Sequence, residues 1–145
     1  MTLTAQHISQ LPADRVDDLF RSGRVGQIPD GQADGTAILW PGSLAEPYLE
    51  AFVETLAWKG KIVNARGRQL KNRISPLGVP AIAADVYTDR SWFDGGECIV
   101  LDYSKRSFVA RFVRDEIRKV APGLYLGLVY LGHTRLIYFT LQFTV

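Results

Sequence analysis

The residues best suited to acid–base chemistry lie in the stretch FVRDEIRKVAPGLYLGLVY, from Phe112 to Tyr130. Its first half gathers two carboxylates and three basic side chains, and its second half is almost wholly apolar and aromatic. A carboxyl group held in an apolar setting has a raised pKa and can exchange a proton near neutral pH. Glu116 is therefore a candidate general acid or base, together with Asp85 earlier in the chain.

Two secondary structures compete for this charged stretch. A helix would carry an apolar stripe at spacings of four, four and three residues, formed by Val109, Val113, Ile117 and Val120. A strand would place Arg114 and Glu116 on one face and Asp115 on the other. The run that follows the turn at Pro122 has a matching length. We therefore expect a short helix or turn over 104–111, then a strand over 112–120 paired with 124–131.

The segments that must position these residues change in character along the chain. Residues 1–56 hold the amphipathic helical pattern LPADRVDDLFRSG and most of a second one, SLAEPYLEAFVETLAW, which runs to Trp58. The short strand GTAILW lies between them. From 57 to 145, short runs rich in β-branched and aromatic residues alternate with turn signals such as APG and GHT. This pattern predicts a single domain, 1–145, whose body is an antiparallel sheet closed as a barrel or folded as a sandwich.

Period-two alternation sorts the strand residues onto two faces, and the mixed faces are the candidates for a binding pocket. In VPAIAADVYT the small side chain of Ala83 would leave space beside Asp85 and Tyr87. A largely apolar cavity with a few convergent polar groups is typical of a small-molecule site. The candidate ligand-binding residues are Arg114, Tyr87, Asp102, Tyr130, Tyr138 and Ala83.

Each of these residue types has a role in such a pocket. Arg114 would hold an anionic group of the ligand and would itself need a carboxylate partner such as Asp85, Asp102 or Glu116. A tyrosine hydroxyl, from Tyr87 or Tyr138, would hydrogen-bond a phenol or carbonyl.

Composition argues against several other classes of function. The net charge is only +2 and no five basic residues run together, so we expect no nucleic-acid partner. No apolar run reaches the ~20 residues of a membrane helix, and the N-terminus lacks the pattern of a signal peptide. Cys98 is the only cysteine, which suits a reducing, cytoplasmic setting.

His7 and His133 lie far apart, so we expect no metal. Without a phosphate-binding glycine loop, we expect no cofactor.

Three segments resemble the small bacterial GXWXG-type proteins of the calycin, or lipocalin-like, group. They are LAWKGK, IVLDYS, and IRKVAPGLYLGLVY with the terminal RLIYFTLQF. Leu56 stands where that group has the first glycine of its motif. The second half also resembles phenolic acid decarboxylase, another calycin. The resemblance implies an antiparallel calycin-like β-barrel with an interior cavity that holds a small hydrophobic or aromatic molecule.

Two functions remain open at this point. The first is binding of a small hydrophobic or aromatic molecule inside the barrel, with or without cofactor-free acid–base chemistry on it. The second is a structural or interaction protein that forms a homodimer or docks to a partner. In the second case the barrel would be filled by its own large side chains, namely Phe112, Phe139, Phe143, Leu126 and Leu128.

Overall fold

A computed structural model of the protein describes residues 2–38, 60–73, 82–108 and 110–144. In these residues two short helices precede eight β-strands. The helices are α1 (Ala5–Ser9) and α2 (Ala13–Ser22), and the strands are β1 (Gly31–Ile38), β2 (Gly60–Asn64), β3 (Gln69–Arg73), β4 (Ala83–Arg90), β5 (Glu97–Asp102), β6 (Val113–Ala121), β7 (Leu124–Leu131) and β8 (Thr134–Phe143). Each strand pairs antiparallel with the next, and β8 pairs with β1, so the sheet closes into a barrel. The prediction of a mainly β antiparallel barrel behind N-terminal helices is confirmed.

The charged stretch is a strand, as expected. It forms β6 and pairs with β7 through the turn at Pro122 and Gly123, where the glycine takes a φ of 68°. Residues 104–106 and 110–112, just before it, form turns. Hairpin pairing prevails over the helical stripe because every second residue of β6 finds an apolar partner on its neighbours. The helix expected over 43–58 lies outside the described residues.

Alternation along the strands produces two separate apolar clusters. The inner core fills the barrel and consists of Ala33, Val63, Leu70, Ala84, Val86, Ile99, Leu101, Tyr103, Ile117, Tyr125, Phe139, Leu141 and Phe143. The outer core packs the helices onto the outside of β7 and β8 and consists of Ile8, Val16, Phe20, Ile38, Leu124, Leu126, Leu128, Tyr130 and Tyr138. Burial of both faces explains why β7 is a nearly continuous apolar run in the sequence.

The helices follow from their own sequences. In α2, Asp14 lies in the first turn, where the helix dipole favours a negative charge, and the helix ends before Gly23. Its buried residues, Val16 and Phe20, are one turn apart and so face the barrel together. In the described part of the chain, neither helix has the length or apolarity that a bilayer crossing would need.

The two ends of the barrel differ. We call upper the end at which β1, β3, β5 and β7 finish, and lower the end at which the other strands finish. Towards the lower end the interior is tightly packed. The ring of Phe139 occupies the space that a Cβ atom on Gly127 would take, so no larger residue fits at this position. Tyr125 and Phe143 pack edge to face with their ring centres 5.5 Å apart.

Candidate functional site

One buried ion pair interrupts the apolar interior. Lys61 on β2 and Asp115 on β6 are each only 3% exposed. Lys61 pairs in register with Ala33, and Asp115 alternates with Ile117, so both side chains point inward with the inner core. In an eight-stranded closed barrel, β2 and β6 lie four strands apart in both directions. The two side chains therefore approach each other from opposite walls.

Tyr103 joins this pair, and we call Lys61, Tyr103 and Asp115 the inner triad. Lys61 Nζ donates to the Tyr103 hydroxyl at 2.6 Å and lies 3.3 Å from Asp115 Oδ2. The Tyr103 hydroxyl donates to the same Asp115 Oδ2 at 3.2 Å. Lys61 Nζ also lies 5.3 Å from the ring centre of Phe139, within range of a cation–π contact. The polar groups of the triad thus converge on one carboxylate oxygen.

Burial dominates the electrostatics of the triad. It lowers the pKa of Lys61, although the attraction of Asp115 acts in the opposite sense. It also raises the pKa of Asp115, against the attraction of Lys61 and the hydrogen bond from Tyr103. Each buried ion costs several kcal/mol of lost hydration, which mutual attraction offsets only in part. The amine and the carboxyl are thus shifted towards their neutral forms, and this arrangement suits proton exchange.

The second oxygen of the Asp115 carboxylate differs from the first. In the part of the chain that the structure describes, no donor hydrogen-bonds to Oδ1, although this atom is buried. Asp115 pairs in register with Leu101 on β5 and with Val129 on β7, so its neighbours across the strands are apolar. A buried acceptor without a hydrogen bond costs about 1–3 kcal/mol, and more when it carries charge. The triad is therefore incompletely satisfied by the protein itself.

The inner triad lies at the upper end of the barrel. Lys61 is the second residue of β2, Asp115 is the third residue of β6, and Tyr103 directly follows β5. Residues 103–112 connect β5 to β6 at this end. The packed rings around Gly127 lie nearer the lower end.

The residues predicted as the site lie on the outward face of the strands, so the expectation that they point into the barrel is wrong. Their role in binding or catalysis stays a prediction. Glu116 and Arg114 alternate with the inward Asp115 and Ile117, so they point outward. Glu116 is fully buried nonetheless, beneath the loop 91–96. Its carboxylate accepts hydrogen bonds from Ser91 Oγ at 2.6 Å and from the Trp92 amide at 2.7 Å.

Arg114 completes this arrangement. It donates to Glu116 Oε2 from Nε at 3.2 Å and from Nη2 at 3.1 Å, and Nη2 also donates to the Arg90 carbonyl at 2.9 Å. Its guanidinium lies 4.2 Å from the ring centre of Trp92. The predicted pairing of Arg114 with a carboxylate is therefore observed, but it fastens a loop to the outside of the barrel.

A second arginine on the same face, Arg118, also holds the loop 91–96 against the barrel. Arg118 binds both oxygens of Asp94, at 2.6 Å and 2.7 Å, and donates to the carbonyl oxygens of Phe20 and Glu97, each at 3.0 Å. It therefore ties the loop to the last turn of α2. We call these outward groups the outer clamp: Ser91, Trp92, Asp94, Arg114, Glu116 and Arg118.

The other predicted residues also face outward. Asp85 pairs with Arg106 at 2.5 Å. Tyr87 donates to Asp102 at 2.9 Å, and its pKa is raised to about 12 by burial and by that carboxylate. Ala83 alternates with the inward Ala84 and shares the face of Asp85, so it leaves no space inside the barrel.

The two remaining tyrosines belong to the outer core. Tyr138 donates to Asp17 of α2 at 2.6 Å, and burial raises its pKa. Tyr130 packs edge to face against Trp92, with ring centres 5.3 Å apart. Both side chains therefore help to fix the helices and the loop 91–96, and neither faces the interior.

Strand parity grouped the predicted residues correctly but did not say which face was inside. The signal that finds Asp115 is its position between Val113 and Ile117, two apolar residues that predict an inward face for this part of the strand. Lys61 gives a weaker signal, since it alternates with Val63 only over a short strand. Tyr103 follows Leu101 by the same rule.

Other chemistry is poorly supported in the described residues. Cys98 is fully buried, and its pKa is raised to about 12, chiefly by that burial, so its thiol is inert. No three His, Cys, Asp or Glu side chains in the described ranges are grouped as metal ligands.

Comparison with known proteins bears on the fold. No family model matches the chain, and no curated protein matches it. A crystal structure of a protein from Thermomonospora curvata is similar, with a TM-score of 0.62 over 93% of this chain and 89% of that chain. The two sequences are 15% identical, so the likeness is one of fold.

Proposed function

We propose that the protein binds a small, largely apolar or aromatic molecule inside the upper end of the barrel. The observation that carries this proposal is the inner triad, a buried and incompletely hydrogen-bonded polar group in an apolar interior. Such groups cost stability, and strongly perturbed titratable groups cluster at functional sites. The apolar residues around Asp115 would contact the body of the ligand, and the triad would contact its polar group.

Cofactor-free acid–base chemistry on this ligand is part of the same proposal. Lys61 and Asp115 have pKa values shifted towards each other by burial. The Tyr103 hydroxyl bridges them and can pass a proton between them. Asp115 would serve as the general acid or base in place of Glu116 and Asp85, which lie outside the barrel. The single cysteine, fully buried, agrees with the cytoplasmic setting that we propose.

A thermal-shift screen of small aromatic and aliphatic compounds tests the binding proposal. A ligand at a hundred times its Kd stabilises the native state by about 2.7 kcal/mol, which raises Tm by several degrees. The control is a variant with Lys61→Met, Tyr103→Phe and Asp115→Leu, which keeps the bulk of the inner triad and removes its polarity. We expect hits on the natural protein that this variant loses. Shifts that survive in the variant would place the binding elsewhere.

The second candidate function is self-association through an exposed aromatic surface. Phe108 is 81% exposed and Phe112 is 62% exposed, and the guanidinium of Arg111 lies within 4.1 Å and 4.6 Å of their ring centres. Paired aromatic and arginine side chains are common at protein interfaces. Sedimentation of the natural protein and of a Phe108→Ser, Phe112→Ser variant tests this. A dimer that the double substitution dissociates is the expected result, and a monomer at every concentration would exclude it.

A further inference from the structure

The inner triad defines which polar group its ligand must carry, if the binding proposal holds. We infer that the ligand presents a hydrogen-bond donor, a phenol or alcohol hydroxyl, to Asp115 Oδ1. This differs from the sequence-based expectation of an anionic ligand held by Arg114. It rests on the proposed function and narrows it to a chemical class.

The inference begins with the distribution of hydrogen bonds over the Asp115 carboxylate. Lys61 and Tyr103 both approach Oδ2. The buried Oδ1 has no hydrogen bond in the described part of the protein. A carboxylate oxygen is an acceptor, and a buried acceptor gains most from a partner that donates. The side chain is 4% exposed, so bulk water does not supply that partner.

The protonation state of the triad leaves this conclusion unchanged. A proton that moves from Lys61 to Asp115 arrives on Oδ2, the oxygen that faces the amine and the tyrosine hydroxyl. Oδ1 then becomes the carbonyl oxygen of a carboxylic acid and still accepts. Both forms of the pair therefore require a donor from the ligand.

The surroundings of Oδ1 define the rest of the molecule. Leu101 and Val129 stand opposite Asp115, and Val113 and Ile117 flank it on the same face. An apolar body therefore suits this position, with one hydroxyl directed at the carboxylate. A carboxylate on the ligand would instead meet Oδ1 as one acceptor facing another, with like charge.

Sites that hydrogen-bond a ligand hydroxyl discriminate strongly against analogues without it, because the buried partner is then left unpaired. The matched probes are para-propylphenol, its methyl ether para-propylanisole, and para-propylbenzoate. We expect the phenol to bind the natural protein about tenfold to a hundredfold more tightly than the ether, and the benzoate to bind more weakly than the phenol. Isothermal titration calorimetry measures all three constants.

Two substitutions on the same strand sharpen the test. In Asp115→Asn the amide oxygen would turn to Lys61 and Tyr103, and the amide NH₂ would take the place of Oδ1. The preference for the phenol over the ether should then disappear or reverse. Glu116→Gln changes the neighbouring outward carboxyl and should leave the preference intact.

The possible outcomes distinguish the proposed binding of a small molecule from the requirement that this molecule carries a hydroxyl. If none of the three probes binds and the thermal-shift screen gives no hit that depends on the inner triad, the proposed function fails and the inference fails with it. If the ether binds as tightly as the phenol, binding stands and the hydroxyl requirement is wrong. A crystal structure of the natural protein with para-propylphenol decides the matter even if Asp115→Asn does not fold. The phenol oxygen should lie within about 3 Å of Oδ1, and a phenol that binds with its oxygen away from Oδ1 would overturn the inference.

Discussion

The two faces of β6 carry buried charge in opposite ways. On the outer face, Glu116 accepts hydrogen bonds from Ser91, Trp92 and Arg114. On the inner face, and among the residues that the structure describes, Asp115 has Lys61 and Tyr103 at Oδ2 and no hydrogen-bond donor at Oδ1. Two adjacent residues of one strand therefore differ: both carboxylate oxygens of Glu116 accept hydrogen bonds, whereas only one oxygen of Asp115 does in the described residues.

This difference separates structural charge from candidate functional charge. A buried ion with all of its hydrogen bonds made holds local geometry, and the outer clamp holds the loop 91–96 against the barrel. A buried ion that lacks a partner costs stability and provides a place for another molecule to bind. Burial alone does not distinguish the two, since Glu116 is the more deeply buried residue.

The largest effect is expected from breaking the outer clamp. Glu116→Ala leaves Arg114 without its carboxylate and removes the acceptor of Ser91 and Trp92. Losing one partner of a buried pair costs about 3–5 kcal/mol, so the free energy of unfolding should fall by that amount in urea titrations. Glu116→Gln, which keeps an acceptor for Ser91, is the milder control. A loss below about 1 kcal/mol for the alanine variant would mean that the clamp does not stabilise the fold.

The inner triad should respond in the opposite direction. Replacing Lys61 with Met, Tyr103 with Phe and Asp115 with Leu removes the cost of desolvating two ions. Apolar replacements of this kind are neutral or stabilise a protein by about 1–4 kcal/mol. Urea unfolding of this variant measures the change. A clear loss of stability would show that the triad, like the clamp, is a structural element.

The smallest effect concerns Asp94 of the outer clamp and appears only in acid. Its hydrogen bonds with Arg118 lower its pKa from 3.8 to about 2. A carboxyl with a lowered folded-state pKa stabilises the protein above its unfolded pKa. That contribution should be complete above pH 3.8 and disappear as the pH falls towards 2. Thermal unfolding of Asp94→Asn should lack this dependence, whereas an unchanged acid profile would argue against the ion pair.

The sequence predicted the fold better than it predicted which face of each strand points into the barrel. The β6–β7 hairpin followed from matched run lengths around Pro122 and Gly123, and α2 from its polar first turn and its terminal glycine. These are local signals, so a single sequence contains them. The other helix that the sequence predicts, over 43–58, lies outside the described residues and stays a prediction.

To predict the site, the sequence would also have to show which face of each strand points into the barrel, and alternation alone does not show this. Alternation showed that Arg114 and Glu116 share a face, but barrel closure and the position of the helices decide which face is inside. The loop 91–96 buries Arg114 and Glu116 on the outside of the barrel. Because this loop is distant from β6 in sequence, no local pattern predicts that it covers them. The meeting of Lys61 and Asp115 across the barrel is a contact between residues 54 positions apart. No local pattern encodes it.

Carbon-13 NMR of the side-chain carboxyls in the natural protein tests the central claim most directly, because it observes both faces of β6 in one titration. Resonances of Asp115 Cγ and Glu116 Cδ would be followed as para-propylphenol is added. The account predicts that the Asp115 signal shifts and saturates with the binding curve, while the Glu116 signal stays in place. Saturable binding that moves Glu116 and leaves Asp115 unchanged would contradict it.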